Sequence, residues 1–290
     1  MTTGGGPTVR RRQLMAELRR LREATRLTQE EVATQLDWHP TKVMRIETGR
    51  TAPHPNDVRV MLDLYGMTDA DAIVGLIKLA KDARQRGWWY SYRDVLLNRY
   101  EFFIGLESEA ATIRDFGLAM IPGLLQTEDY AREVSAMTPC VAEDEVNARV
   151  ASRLARQQRV LLRDEPPAAW FLVDYFALLR QIGTPEVMAA QMRHLSALAR
   201  LPYVTIQVVP GIAHAGLLGG FTVTDKAAYA ESVMRGQVFE DEETRSALSL
   251  RFDTLRSSAC SAPESIKLLR QAADLWSGVR RPTARRTGTA

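Results

Sequence analysis

Residues 28–49, TQEEVATQLDWHPTKVMRIETG, constrain the chain most tightly, because they prescribe two short helices and the turn between them. Thr28 with Glu31 three residues on is a capping box, so a helix starts at Gln29. Val32, Ala33 and Leu36 give it one narrow apolar stripe. Asp37-Trp38-His39 breaks the period, and Pro40 suits the first turn of a second helix, where its missing N–H would be unpaired anyway. That helix runs from about Pro40 to Thr48, buries Val43 and Ile46, and stops at Gly49, a left-handed position. Helix, short turn, helix with a polar outer face is the pattern that lays its second helix in the major groove of DNA, here with Thr41, Lys42 and Arg45 outward.

The flanks fit a compact all-α unit of four to five helices over 12–86. A helix from about Arg12 to Ala24 carries Leu14, Leu18 and Leu21 on one face. After Gly49 and a loop with two prolines, a helix over about Asp57–Tyr65 turns Val58, Met61, Leu62 and Tyr65 inward and ends at Gly66. Thr68 with Asp71 caps a longer one, to about Arg86. Residues 1–11 read as a disordered basic arm, in which Arg10, Arg11 and Arg12 are either solvated charge or a reach into the minor groove.

Trp88, Trp89, Tyr90 and Tyr92 mark the boundary to a second domain, 87–278; they are either an aromatic plug or a wall of a ligand pocket. In that domain the strand candidates are 109–118, 170–174, 203–209, 220–225 and 229–234. Helices are expected over about 126–137, 141–162, 185–200 and 240–277, the last broken near Pro263. The expectation is an α+β domain around a small, largely antiparallel sheet, with a late hairpin. Residues 279–290 form a disordered basic tail.

Charge separates these parts. Residues 1–60 hold eleven Lys/Arg against seven Asp/Glu, and the last twelve residues add four arginines; a net charge of +3 for all 290 residues therefore leaves −5 on 61–278. Basic charge beside the helix pair, and an acidic middle, place one nucleic-acid surface at the N-terminus. Two cysteines 120 residues apart, Cys140 and Cys260, suit a reducing cytoplasm better than a disulfide scaffold or a zinc site. No apolar run approaches the ~20 residues of a membrane span, and MTTGGGPTVRRR lacks a signal peptide's apolar stretch. A cytoplasmic protein without membrane association is expected, nucleoid-associated when bound to DNA.

Side chains that read bases must present donors from an exposed helix face. Arg45 is the best placed, able to make a bidentate contact with guanine. Thr41 and Lys42 lie one turn earlier. Gln29 at the start of the first helix, and Arg50 just after the second, are placed for phosphates. With His39 at the turn, the DNA-facing set is Gln29, His39, Thr41, Lys42, Arg45 and Arg50. Signs of catalysis are missing. AHAGLLGGF lacks the P-loop's Gly-Lys-Ser/Thr and reads as a hairpin loop, with His214 a solvated loop histidine or, less simply, part of a site. The four histidines are scattered without metal-ligand spacing, so no metal and no cofactor are expected. Arg149, Arg153, Arg156 and Arg159 recur at helical spacing, as a paired face or as a partner site.

LREATRLTQEEVATQLDWHPTKVMRIETGR resembles the phage-repressor-like (Xre/Cro-type) helix-turn-helix, above all its actinobacterial version. The resemblance implies an ion pair between Arg22 and Glu47, a phosphate contact from Gln29 and base contacts from Thr41 and Arg45. Asp37 departs from the pattern, standing where the turn usually has Gly, at a cost of about 1 kcal/mol if left-handed. His39 and Pro40 replace the usual small hydroxyl cap. Further on, Glu107-Ser-Glu-Ala-Ala-Thr-Ile, Ile121-Pro-Gly-Leu-Leu-Gln-Thr, Arg153-Leu-Ala-Arg-Gln-Gln158 and Gly219-Gly-Phe-Thr-Val223 resemble the large C-terminal domain of WhiJ-like actinobacterial regulators. That likeness implies an antitoxin-like partner of a small protein encoded by a neighbouring gene. The expected function is a non-enzymatic, sequence-specific DNA-binding transcriptional regulator, a homodimer on palindromic double-stranded DNA, controlled through its C-terminal domain by that partner or a ligand. The alternative is an antitoxin-like protein-binding module with secondary DNA autoregulation. Trp88, Trp89, Tyr92, Arg153, Arg156 and His214 are the candidate partner or ligand surface.

Overall fold

Side chains that accept backbone N–H groups set the starts of most N-terminal helices. The computed structural model describes residues 7–49, 51–85, 87–92, 94–96, 98–230 and 236–278, in two units, Met1–Ser91 and Tyr92–Ala290. In the first unit the helices are α1 (Pro7–Thr25), α2 (Gln29–Gln35), α3 (Pro40–Glu47), α4 (Pro55–Leu64) and α5 (Ala70–Ala83). Thr28, His39, His54 and Asp69 cap α2 to α5, and Pro40 and Pro55 stand where a proline loses no hydrogen bond. The expected Thr68 cap on α5 is corrected to Asp69, whose carboxylate accepts from the N–H groups of Asp71 and Ala72. Leu14 and Leu18 of α1, Val32 of α2, Val43 and Ile46 of α3, Met61 and Leu62 of α4 and Ala80 of α5 close one core. Burying each of the larger side chains stabilises by about 1.5–3 kcal/mol.

Helix α1 starts five residues earlier than expected, which corrects the limit of the basic arm. Arg10, Arg11 and Arg12 are helical; Arg10 lies 3.8 Å from Asp82 and Arg11 donates to the carbonyl of Ala83, both near the end of α5. Residues 1–6 and the tail 279–290 lie outside the described residues, as does most of the strand candidate 229–234.

A 3-10 turn, Trp88–Tyr92, and α6 (Asn98–Glu107) precede the sheet of the second unit. Its strands are β1 (Thr112–Gly117), β2 (Ala168–Asp174), β3 (Val204–Val209), β4 (Phe221–Thr224), β5 (Ala228–Ala230) and β6 (Gln237–Phe239), in the order β3-β2-β1-β4-β5-β6. The small, largely antiparallel sheet expected from sequence is thereby corrected: six strands are described, and β1, β2 and β3 run parallel. The reason is connection length. Parallel neighbours need a crossover of a dozen or more residues. Helices α7 (Glu128–Ala136) and α8 (Glu143–Val160) supply it between β1 and β2, and α9 (Tyr175–Leu179) and α10 (Pro185–Leu198) between β2 and β3. Only β4–β5–β6 and the β1–β4 pair are antiparallel.

Both faces of the sheet are covered, so its central strands are apolar on both sides. Ile113, Phe171, Val173 and Ile206 face a core completed by α7, α10 and α12 (Ala262–Gly278). Phe116, Leu172, Phe221 and Val223 face Phe252 and Leu255 of α11 (Glu242–Ser258).

Candidate nucleic-acid interface

The turn between α2 and α3 is built residue by residue. The Thr28 hydroxyl accepts the Glu31 N–H, and the Glu31 carboxylate accepts the N–H of Thr28 at 2.8 Å. Asp37 then takes a left-handed φ of 53°, where an L-residue is strained and glycine is not. Trp38 donates its N–H to the Ala33 carbonyl at 2.8 Å, which folds the chain back, and its ring packs on the core. His39 solves the start of α3 that Pro40 left open: its Nδ1 accepts the N–H of Thr41 at 3.3 Å, so an imidazole stands in for the hydroxyl cap. At the far end Gly49 has φ 69°, and a Cβ there would lie 2.3 Å from Met15 Sδ. The left-handed φ is what calls for glycine, since the Met15 side chain can move aside.

The polar residues of this pair divide into those bound inside the domain and those left outside. Glu47, 7% exposed, receives Arg22 Nε at 2.7 Å and Arg22 NH2 at 3.0 Å, and the Gln29 amide at 2.7 Å. Arg22 donates a third bond to the carbonyl of Leu27, so α1, α2 and α3 are tied at one point. Lys42 also proves to be engaged. Its ammonium lies 2.8 Å from Asp57 Oδ1 of α4 and 3.6 Å from the centre of the Trp38 ring. Thr41 and Arg45 are exposed, and Arg45 has no side-chain hydrogen bond or ion pair among the described residues. A groove of about 480 Å³ beside them is lined by His39, Thr41, Arg45, His54 and Arg84, among others. Arg50 lies outside the described residues.

The candidate partner residues fall in both units, Trp88 and Trp89 in the first and Tyr92, Arg153, Arg156 and His214 in the second. Trp89 is buried, edge-on to Trp88 at 6.0 Å, in the first unit; Tyr92 begins the second. Arg156 is corrected from surface to core. Its guanidinium grips Glu107 with bonds of 2.5 and 2.6 Å and donates to Tyr100 Oη at 2.6 Å, and neither charged side chain reaches solvent appreciably. Burial works to lower the Arg156 pKa, but Glu107, Tyr100 and Asp115 together raise it, so the arginine stays charged. Arg153 donates to Gln126 Oε1 at 2.6 Å. The IPGLLQT turn is held the same way: Gln157 donates to the carbonyls of Gly123 and Gln126, Gln191 donates to Leu125, and Tyr130 Oη accepts the Ile121 N–H. The motif residues of this domain thus serve backbone groups that a buried turn would otherwise leave unpaired. His214 is likewise not a solvated loop histidine: its side chain is buried, with Nε2 2.8 Å from Asp174 Oδ2 and Nδ1 accepting the Gly216 N–H. Nothing in a glycine-rich loop signals such a partner 40 residues away.

No three His, Cys, Asp or Glu side chains cluster at metal-binding distance, and no helix is long and apolar enough to cross a membrane, among the described residues. A capped helix pair presenting Thr41 and Arg45 is a helix-turn-helix, and residues 13–72 match the Helix-turn-helix domain family. That domain supports a DNA-binding regulator. Residues 100–271 match the Domain of unknown function (DUF5753), and the chain belongs to that family. No curated protein and no solved structure matches it significantly.

Proposed function

We propose that the chain is a sequence-specific transcriptional regulator that binds a palindromic operator as a homodimer, and that its C-terminal domain, similar to that of WhiJ-like actinobacterial regulators, answers to a small partner protein or ligand. The observation that carries this reading is the division of labour on α2 and α3. Arg22, Gln29, Lys42 and Glu47 spend their charges and amides inside the domain, while Thr41 and Arg45 stay exposed on α3.

Arg45 then reads guanine, a contact worth about 1–3 kcal/mol of discrimination, with Thr41 and His39 beside it. Gln29 keeps one amide N–H and its backbone N–H at the start of α2 for a phosphate, and Arg50 takes another. Lys42 acts chiefly by holding α3 against α4 and contributes positive potential rather than base readout. The test is footprinting on DNA upstream of the chain's own gene. The expected result is two protected half-sites about one helical turn apart, with protection altered by the neighbouring small protein. Protection without sequence preference would contradict the reading.

A further inference from the structure

The sheet face that α11 covers changes character along its length. Alternation puts Thr112, Arg114 and Phe116 of β1 on one side of the sheet. At one end Phe116, with Phe221 and Val223 of β4, packs against Phe252 and Leu255 of α11. At the other end β1 offers Thr112 and Arg114, while α11 offers Ser249 and Arg245, one and two turns before Phe252. These four side chains line a cleft of about 200 Å³ between strand and helix. Arg114 stands out, because β1 lies between β2 and β4, and a central strand covered on both faces otherwise takes an apolar residue there.

The acids at the cleft are already engaged. The Asp225 carboxylate accepts the N–H groups of Ala111 at 2.9 Å and Thr112 at 3.4 Å and pairs with Lys226 at 2.9 Å. The Glu242 carboxylate accepts from Arg245 and from the Ser246 hydroxyl. Donors are left over. Arg245 donates to the Asp225 carbonyl at 3.0 Å and to Glu242, yet its Nε is buried with no acceptor among the described residues. Arg114 has only a loose contact, 3.5 Å to Asp253, which Arg256 shares at the same distance. A buried donor without an acceptor beside a polar cleft marks the place of an ion or water that completes the set.

We infer that this cleft binds phosphate, free or as the phosphate group of a larger molecule. Arginines are the side chains best suited to oxyanions. Here they stand on opposite walls, so a tetrahedral ion meets both, whereas a planar carboxylate fills one guanidinium fork. The cleft is smaller than the about 300–1,000 Å³ of drug-sized ligand sites, which suits a single small group. The inference rests on the regulator reading only for its purpose, as the signal to which the C-terminal domain answers; its readout is independent of DNA.

Isothermal titration of the full chain with sodium phosphate, at ionic strength matched with sodium chloride, is the test. One phosphate should bind per chain, with a dissociation constant below about 1 mM. Arg114→Gln should raise that constant at least about 10-fold. Ser249→Asp, which places a negative charge in the cleft without removing a structural group, should abolish binding with unchanged circular dichroism. Arg251→Gln, an exposed arginine of α11 outside the cleft, should leave binding intact. Glycerol phosphate separates the two sources: tighter binding than inorganic phosphate identifies a group on a larger molecule, and equal or weaker binding identifies the free ion. No heat with phosphate in the wild type, sodium acetate binding as tightly, or binding that both cleft variants leave unchanged overturns the inference. If phosphate binds as described but leaves operator affinity unaltered at matched ionic strength, the site stands and its regulatory purpose falls.

Discussion

Glu47 shows why a polar residue on a recognition helix need not touch DNA. It is buried and holds both Arg22 and Gln29. Removing it leaves the Arg22 guanidinium without its partner, so Glu47→Ala should destabilise the first unit by about 3 kcal/mol in urea melts. Tyr65 predicts the reverse sign. Its buried hydroxyl has no hydrogen-bond partner among the described residues, so Tyr65→Phe should stabilise by about 1 kcal/mol. Burial, then the Glu47 carboxylate, push the phenol's pKa up from 10.0. The unfolded chain therefore ionises first as pH rises, and stability is lost above about pH 10. In Tyr65→Phe that alkaline loss should be smaller, read as the unfolding midpoint against pH. Local chemistry was legible at this scale: the capping box, Pro40 and Gly49 are written in neighbouring residues. The engagement of Lys42 was not, because Asp57 lies fifteen residues away and only the packing of α4 on α3 brings them together.

Among the elements, the turn from α2 to α3 and the end of α3 carry opposite errors and remedies. Asp37 occupies a left-handed position without being glycine, and Asp37→Gly should stabilise by about 1 kcal/mol. Gly49→Ala puts a Cβ on a left-handed φ, with the Met15 side chain free to shift, and should destabilise by about 1 kcal/mol. Thermal melts of the pair should shift in opposite directions. In the second unit, helices α7, α8, α10, α11 and α12 could be read from periodicity, and so could β1 to β4. Helices α6 and α9 and strand β6 could not: α6 mixes aromatic and charged residues without an apolar stripe, and the other two are short. The late hairpin points to antiparallel pairing, whereas the long helices between β1, β2 and β3 carry the chain back to make those three strands parallel. Glu107 on α6 is the partner that explains Arg156, and Glu107→Gln should cost about 3 kcal/mol by leaving a buried guanidinium under-compensated.

At the scale of the whole chain, two units each close their own core. Residues 1–91 expressed alone should therefore give a helical, cooperatively melting domain that binds DNA more weakly than the full chain. The N-terminal basic charge, with an acidic middle, makes binding depend steeply on salt through released counterions. That charge division and the helix-turn-helix were both visible in the sequence. The interior of the second domain was less so, because its motifs act through contacts 31 to 66 residues apart that serve backbone groups. Arg45, exposed with Thr41 on a helix pair whose other polar groups are bound inside the domain, is the side chain proposed to select the DNA sequence. Fluorescence anisotropy with the footprinted operator and a scrambled duplex, at one fixed salt concentration, tests it most directly. Arg45→Ala should lower the ratio of the two affinities roughly 10- to 100-fold while scrambled-duplex binding changes little. A ratio unchanged by Arg45→Ala would contradict the claim.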